Sequence, residues 1–436
     1  MPTPRPHKFE LMKEEYLHYA FKHKLVGNTF LTTSNQLLQV IDFGEHNANA
    51  GPDFLDAKIN FDGQIWVGAI EFHVNSSDWF RHNHQNDPAY GNVIAHFVYT
   101  FDMELINNGS VVPTVELKSK IDPAHYKKYQ QLIHTHTEIL CQNSIKEVSH
   151  EKLEEQKLHS LNQRLWFKSI RILQDLETYH GDRSYAYYLA LARAFGGKVN
   201  QLPFEQLMSK INTKWFAKLN YDPFRIEALF FGMAGLLPSN VLEDDYLNSL
   251  VQEFDYLKKL FGITQPPILG WKYSRMRPAN FPDIRIAQLV QFIIKFPNSD
   301  LFFKTDWSLK SFYKGELSGL HEFWNQHYRL STKKSKNISP KISKEMYDLI
   351  LINAIIPFHY AIGLFEGNEE IKTACLKFLK TLKPEKNTKM SQWQSTGVSL
   401  SSAYDTQAFL ALLKQACIQK KCLTCAIGKE ILKKWD

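Results

Sequence analysis

Little in the chain marks an exported or membrane-embedded protein. The opening residues Met1-Pro-Thr-Pro-Arg-Pro-His-Lys8 contain no apolar core of the kind a secretory signal needs, so a cytoplasmic location is expected. No clean transmembrane run is present: the longest apolar stretch, residues 349–365, is interrupted by Asn353, Pro357 and His359 and reads as a buried, kinked helix. No repeat period is visible, which argues against solenoids and propellers. Cysteine is scarce, with five in 436 residues, and without an export signal they are expected to be reduced thiols, not a disulfide framework. Charge of one sign is not in large excess: a net +7 over this length is compatible with a polyanionic partner and decides little. Core-forming material is plentiful, at 44% hydrophobic and 13% aromatic. The length allows roughly two or three domains.

The pattern changes near residue 121. Before it come a helix over 10–24, strands over 37–43, 54–60, 64–74 and 93–100, and a short strand at 114–117. After Pro123 helical periodicity dominates, at 150–178, 183–195, 204–219, 225–236, 244–261, 284–295, 344–364, 371–382 and 403–417. The expectation is an α/β domain over residues 1–121 followed by a large, mostly α-helical domain over 122–436. Exposed connectors are expected at 331–343 and 383–391. In the helical part, Phe231-Gly-Met-Ala-Gly235 reads as a helix whose glycines admit a close neighbour.

Two carboxylates in the α/β part fall side by side if the strands are paired by their apolar pattern. Asp62-Gly63 marks a hairpin turn. A two-residue loop would mix polar and apolar side chains on each face. A three-residue loop, Phe61-Asp62-Gly63, pairs Asp53 with Glu71, Leu55 with Ala69, Ala57 with Val67 and Ile59 with Ile65, leaving one apolar face that ends in two acids. Opposed residues have Cβ atoms roughly 5 Å apart, and like charges there repel unless a cation lies between them. His73 projects from the same face as Glu71. The plain alternative is that Asp53 caps a turn and Glu71 faces solvent at a strand end.

A histidine-rich loop follows: Asp78-Trp-Phe-Arg81-His82-Asn-His84. Alternate residues of an extended segment share a face, so His82 and His84 are candidates to bind one ion or to contact a phosphate together. Paired histidines favour Zn²⁺, Mn²⁺ or Fe²⁺ over Mg²⁺, which supports a metallohydrolase using Asp53, Glu71, His73, His82 and His84. The alternative makes each an ordinary hydrogen-bonded loop residue, and His96, in an apolar strand, a core residue. Arg81 is either a phosphate contact or simply solvated.

Pro52-Asp53 followed by Glu71-Phe-His73 resembles the signature of PD-(D/E)XK nucleases, with histidine where lysine is usual. That resemblance implies a nuclease-like α-β-β-β-α-β core, Mg²⁺ or Mn²⁺ held by Asp53 and Glu71, a glutamate from the opening helix (Glu15 the candidate), and hydrolysis of nucleic-acid phosphodiester bonds, DNA being the first expectation. With His73 in the lysine position, three roles stay open: base, neutral ligand or phosphate donor. Over nearly its full length the chain also resembles a bacterial family catalogued as domain of unknown function 2851. The residues concerned are Asn49-Ala-Gly-Pro-Asp-Phe54, Glu71-Phe-His73, Asp78-Trp79, His82-Asn-His84, Arg277-Pro-Ala-Asn-Phe-Pro282 and Cys422-Leu-Thr-Cys425. A catalytically silent nucleic-acid-binding scaffold is the remaining alternative.

Two further features lie outside the α/β part. Arg275, Arg277 and Arg285, interleaved with aromatics, suit a phosphate backbone, or equally suit carboxylates that tie elements together. Cys417-x4-Cys422-x2-Cys425 supplies three soft ligands, with Cys141 the first choice for a fourth, whereas Cys375 is isolated. Such a set reads first as ordinary reduced thiols, and against that as a site for zinc or, as in some PD-(D/E)XK nucleases that work on DNA ends, an iron-sulfur cluster.

Overall fold

The computed structural model describes residues 12–47, 49–135, 137–239, 244–303, 320–331, 334 and 338–433. The first residues of the expected opening helix, the N-terminal segment and much of the 331–343 connector lie outside the described residues. Contacts divide the chain into one unit of residues 1–156 and 413–436 and a second of 157–412.

The first unit is a mixed sheet with helices. Helix α1 (Glu14–Lys22) precedes β1 (Thr29–Leu31), β2 (Leu37–Asp42), β3 (Glu45–His46), β4 (Phe54–Phe61) and β5 (Gln64–Asn75). A helical crossover that opens with α2 (Asp78–Arg81) leads to β6 (Val93–Thr100). β7 (Ile106–Asn107) and β8 (Ser110–Val111) form a small ribbon before β9 (Thr114–Glu116). The sheet order is β1-β2-β4-β5-β6-β9, with β3 also on β4; the strands through β5 pair antiparallel, while β5, β6 and β9 run parallel. The parallel strands are the most apolar ones, as strands covered on both faces should be: Phe72, Ala95, Phe97 and Val98 are all fully buried. α1 lays Leu17, Ala20 and Phe21 on this core, where Phe21 meets Phe54, Phe72 and Phe97 at ring centroids of 5.0–5.2 Å.

The hairpin brings Asp53, just before β4, beside Glu71 by another route than the expected pairing. Phe61 pairs with Gln64, so the loop is Asp62-Gly63, both at positive φ (50° and 86°), the combination a type I′ turn requires. Pairing then runs through Ile59 with Trp66 and Ala57 with Gly68, after which a β-bulge shifts the register and Phe54 faces Ile70. Leu55 and Asp56 together oppose Ala69, with Asp56 at φ 55°. The three-residue loop is thus corrected. Its premise, one continuous apolar face, fails because Ile65 and Val67 are 55% and 56% exposed. The bulge lets Phe54 and Ala57, an odd number of residues apart, both point into the core. Gly44 locks it: a Cβ there would sit 2.2 Å from the Leu55 carbonyl oxygen and 2.9 Å from the Ala57 nitrogen.

Helix α3 (Pro123–Ile133) packs on α1 through Tyr16, whose hydroxyl bonds His125 Nδ1 at 2.6 Å and whose ring meets Tyr126 and Tyr129. The C-terminal helix Ala426–Lys433 packs on α3 and on the turn Ile145–Glu147. The composition break at residue 121 therefore differs from the contact division, since helices on both sides of the long insertion join the sheet.

The second unit is helical. It contains most of α4 (His150–Thr178), all of α5 (Arg183–Ser209), and the helices Pro223–Met233, Asp245–Phe261, Pro282–Lys295, Glu369–Thr381 and Ala403–Leu412. Gly232 admits Phe254 as its sequence context suggests, since a Cβ would lie 2.1 Å from that ring. α5 is interrupted by Gly197 (φ 57°, ψ −152°) and Asn200, where two separate helices had been expected. Among the described residues one helix, Lys344–Phe365, is long and apolar enough to cross a membrane; 72% of its apolar window is buried inside the protein, and it passes through a π turn at Leu351–Ile355.

Candidate metal centre

Two groups of ligand-bearing side chains meet in the first unit, with Glu71 between them. The first comes from α1 and the start of β4. Glu14 and His18, four residues apart, share one helical face, and their ligand atoms lie within 4.8 Å of each other and of Asp53. His18 Nε2 is 3.1 Å from Asp53 Oδ2 yet, although buried, makes no hydrogen bond. Backbone amides fix the two acids reciprocally: the Asp53 amide donates to Glu71 Oε2 at 3.0 Å, and the Phe72 amide donates to Asp53 Oδ2 at 2.9 Å.

The second group is His73, His82 and His84, whose ligand atoms also lie within 4.8 Å of one another. His73 Nε2 is 3.2 Å from His82 Nδ1, and Glu71 Oε1 lies 3.6 Å from His84 Nε2 and 3.8 Å from His73 Nε2. A tetrahedral cation with ligand bonds of about 2.0–2.1 Å has ligand–ligand edges of about 3.3–3.4 Å, close to these separations. The segment is not extended, as the sequence reading assumed. α2 ends, Asn83 turns left-handed at φ 64°, and a short helical turn begins at His84; an asparagine suits that conformation. Trp79 is buried at the centre, edge-on to His84, His96 and Tyr90, while the His84 ring stacks on Tyr90 at 3.9 Å.

Burial decides the electrostatics. Desolvation first, and the Asp53 charge second, push the Glu71 carboxyl up to about 9, and the same two causes raise Glu14 to about 7. Desolvation and then the surrounding imidazoles hold His73 down at about 2, and desolvation holds His96 at about 3. Both rings are neutral at physiological pH. His73 Nδ1 faces His96 Nε2 at 2.8 Å, so the proton of His73 can sit on Nδ1, donated to His96, leaving Nε2 as a lone pair aimed at His82 and Glu71. The donor set, a buried carboxyl whose ionised form a nearby cation would favour, imidazole nitrogens and a buried His18 nitrogen without a hydrogen bond, suits cations.

A family model described as protein of unknown function (DUF2851) matches residues 14–388. The chain belongs to that family. The DUF2851 match begins at Glu14 and spans Asp53, Glu71, all the site histidines, Cys141 and the arginine-rich loop, while Cys417, Cys422 and Cys425 lie beyond it. No curated protein and no solved structure matches the chain.

Other expected residues of this DUF2851 chain fall as follows. Glu15 is exposed; Glu14, one residue earlier, is the acid that shares a group with His18. The E-x-x-x-H spacing of Glu14 and His18 was the available signal for that pair, and it was missed. Arg81 is 68% exposed and pairs with Asp78. Cys141, Cys417 and Cys422 are buried and Cys425 half-buried, all four in the first unit. Burial raises each thiol, and the charges of Cys425 and Cys422 bear on both Cys141 and Cys417. The Gly428 and Ile427 amides donate to Cys425, and Gly428 leaves room for Cys422, whose carbonyl oxygen would be 2.2 Å from a Cβ there. Cys375 is in the second unit, as are Arg275 and Arg277.

Proposed function

We propose that the chain is a metal-dependent hydrolase of nucleic-acid phosphodiester bonds, DNA first, with two cations flanking Glu71. The observation that carries this is the division of the Glu71 carboxylate, with Oε2 latched to the Asp53 side and Oε1 turned to the histidines. Glu14, His18 and Asp53 would hold the harder ion, Mg²⁺ or Mn²⁺, and the histidines a borderline one such as Zn²⁺. Cations there would polarise a phosphate oxygen and lower the pKa of an adjacent water. The chain's own residues do the positioning. Paired amides orient both acids, His96 fixes the tautomer of His73, and Trp79 and Tyr90 wall off His84. Because Nδ1 of His73 is committed to His96, the ligand role is the one its geometry favours.

The PD-(D/E)XK likeness supports the substrate class. A helix precedes an antiparallel β2–β4–β5 set, a helical crossover leads to the parallel β6, and Asp53, just before β4, lies beside Glu71 on β5. Histidine in place of the usual lysine is the departure. The experiment is Mn²⁺-supported cleavage of single-stranded, duplex and branched DNA and RNA by the chain and by Asp53→Asn, which should be inactive. Folded, metal-loaded protein that cuts none of these but hydrolyses small phosphoesters or other compounds would replace the nuclease with the metallohydrolase that the histidine group favours. Binding without any hydrolysis would leave the silent scaffold.

For the cysteines, zinc or an iron-sulfur cluster on Cys141, Cys417, Cys422 and Cys425 is the corresponding proposal. It is supported by the amides that donate to Cys425, since such donors stabilise a thiolate.

A further inference from the structure

The helical unit contains a cavity of about 890 Å³ whose lining is rich in cations. Arg171 and Arg193 are there, and both are already neutralised: Arg193 donates to Asp175 (2.8 Å) and Glu205 (2.7 Å), and Arg171 to Glu205 (2.5 Å). Lys168 is used structurally, donating to the Ile352 carbonyl at 3.1 Å and to Asn353 Oδ1 at 2.9 Å. Lys198, Arg275, Arg277 and Arg285 remain. Among the described residues none of these four has a carboxylate partner, and no carboxylate lines the cavity. Among the described residues, then, the three arginines do not tie elements together through acids.

Arg285 is the informative one. Its guanidinium bonds only neutral amide oxygens, Gln288 Oε1 at 2.9 Å and Asn280 Oδ1 at 2.5 Å. Burial with no compensating charge lowers it to about 10. A guanidinium desolvated without a counter-charge is costly unless an anion completes it. The exposed pair is held in place deliberately. Asn200, buried at the α5 break, receives the Lys272 amide at 2.9 Å and donates to the Lys272 carbonyl at 2.8 Å, clamping the loop that carries Arg275 and Arg277. Trp271 Nε1 anchors the loop to the Ala234 carbonyl at 2.9 Å, and Arg275 itself is kept at φ 60°, an uncommon conformation for arginine. Gly197, with open space at its Cβ position, lines the same wall.

The opposite character is also present. Phe167, its ring met edge-on by Trp166 at 5.0 Å, and Leu349 line the cavity while 56% and 40% exposed, an aromatic and an aliphatic surface. Inorganic phosphate would use the cations and leave this wall and most of the volume empty. A nucleotide uses both, because every base has a π face that stacks on an aromatic ring and guanidinium forks match phosphate oxygens. The volume falls in the ordinary range for a site that encloses a small organic ligand.

We propose that this cavity binds a nucleoside phosphate, with the phosphates on Arg275, Arg277, Arg285 and Lys198 and the base against Phe167. The ligand is either a free nucleotide or the terminal nucleotide of a strand; the chemistry is the same. The site lies wholly within residues 157–412 and does not depend on the metal centre being a nuclease.

The test is calorimetric titration of the full chain carrying Asp53→Asn, in EDTA, with ATP, AMP, adenosine, pyrophosphate and a 5′-phosphorylated oligonucleotide. ATP or the phosphorylated oligonucleotide should bind at least about tenfold more tightly than adenosine and pyrophosphate. Arg277→Ala with Lys198→Ala, both exposed positions, should weaken binding at least about tenfold and reduce the salt slope, and Phe167→Ala should weaken ATP but not pyrophosphate. Circular dichroism and melting confirm that the variants fold. Absence of nucleotide and oligonucleotide binding at low salt, binding that these variants leave unchanged, or pyrophosphate binding as tightly as ATP would each overturn the proposal. Catalysis by unmodified protein is measured separately, so loss of this site and loss of the nuclease reading remain distinguishable.

Discussion

Replacing Glu71 by glutamine should change stability in opposite directions with and without metal. In metal-free protein the folded Glu71 carboxyl is pushed up to about 9 from an ordinary 4.5. The native state then holds a proton that the unfolded chain gives up between those values. The sign follows: this contribution is fully present below about pH 4.5 and is lost as pH rises through the folded value, at no more than about 1.4 kcal/mol per pH unit. Glu71→Gln keeps a neutral amide at the same place and removes the titration. The variant should therefore match the parent near pH 5 and exceed it at pH 8 by an upper bound of about 4 kcal/mol, with sharing of the proton between Glu71 and Asp53 reducing that figure. Saturating Mn²⁺ and Zn²⁺ should reverse the order, because two cations, each at a hundred times its dissociation constant, stabilise the parent by about 5.4 kcal/mol together, more than the gap at pH 8, and the variant has lost the ligand they share. Urea and thermal melts of both proteins at pH 5, 6.5 and 8, in EDTA and in metal, measure this. Parallel pH profiles in EDTA, or equal stabilisation of both proteins by metal, would refute the reasoning.

Other outcomes follow from the same geometry. Asp53→Asn should abolish Mn²⁺-dependent cleavage while leaving the melting midpoint unchanged or raised, because it removes the charge that faces the buried Glu71 carboxyl; a variant that still cuts at the parental rate contradicts the assignment. His82→Ala with His84→Ala should lower zinc content by one ion per chain and leave Mn²⁺ uptake at Asp53 in place, as read by elemental analysis and competition titration. Cys422→Ser should release zinc or an iron-sulfur chromophore from anaerobically purified protein and lower its stability, whereas neither metal in folded parent protein would reject that site. Gly44→Ala should cost about 1–3 kcal/mol in urea melts, since the added methyl meets backbone atoms of the bulge at positive φ; a neutral result would mean that the bulge is not locked from that side.

Much of this was legible in residue order. Period-two and period-3.6 patterning located β6 at Val93–Thr100 and α4 at His150–Thr178 within their observed bounds, because long elements with a buried face carry their period openly. Asp53 and Glu71 were brought together correctly for an incorrect reason. The Asp-Gly turn called for a two-residue loop, and a bulge at Asp56, held by Gly44 from the link between β2 and β3, supplied the missing residue of shift. No single-strand pattern contains that information, because the contact that demands the bulge is tertiary. His96 read as a core histidine, and it is buried, but its service to His73 depends on a parallel pairing between strands that the sequence does not declare. Glu14 and His18 were visible as an i, i+4 pair and passed over for Glu15. Cys141, which the sequence reading chose as the fourth ligand, lies near enough to Cys422 and Cys425 for their charges to act on it, and helix Ala426–Lys433 packs on α3 and on the turn Ile145–Glu147.

The most direct test of the metal centre is anomalous diffraction from crystals of the full chain soaked separately in Mn²⁺ and Zn²⁺. Two peaks are predicted on opposite sides of the Glu71 carboxylate, one within bonding distance of Asp53, Glu14 and His18 and one within bonding distance of His73, His82 and His84, the latter taking zinc preferentially. Soaked crystals with no peak bonded to Glu71, the histidines instead linked only by their own hydrogen bonds, would contradict the account.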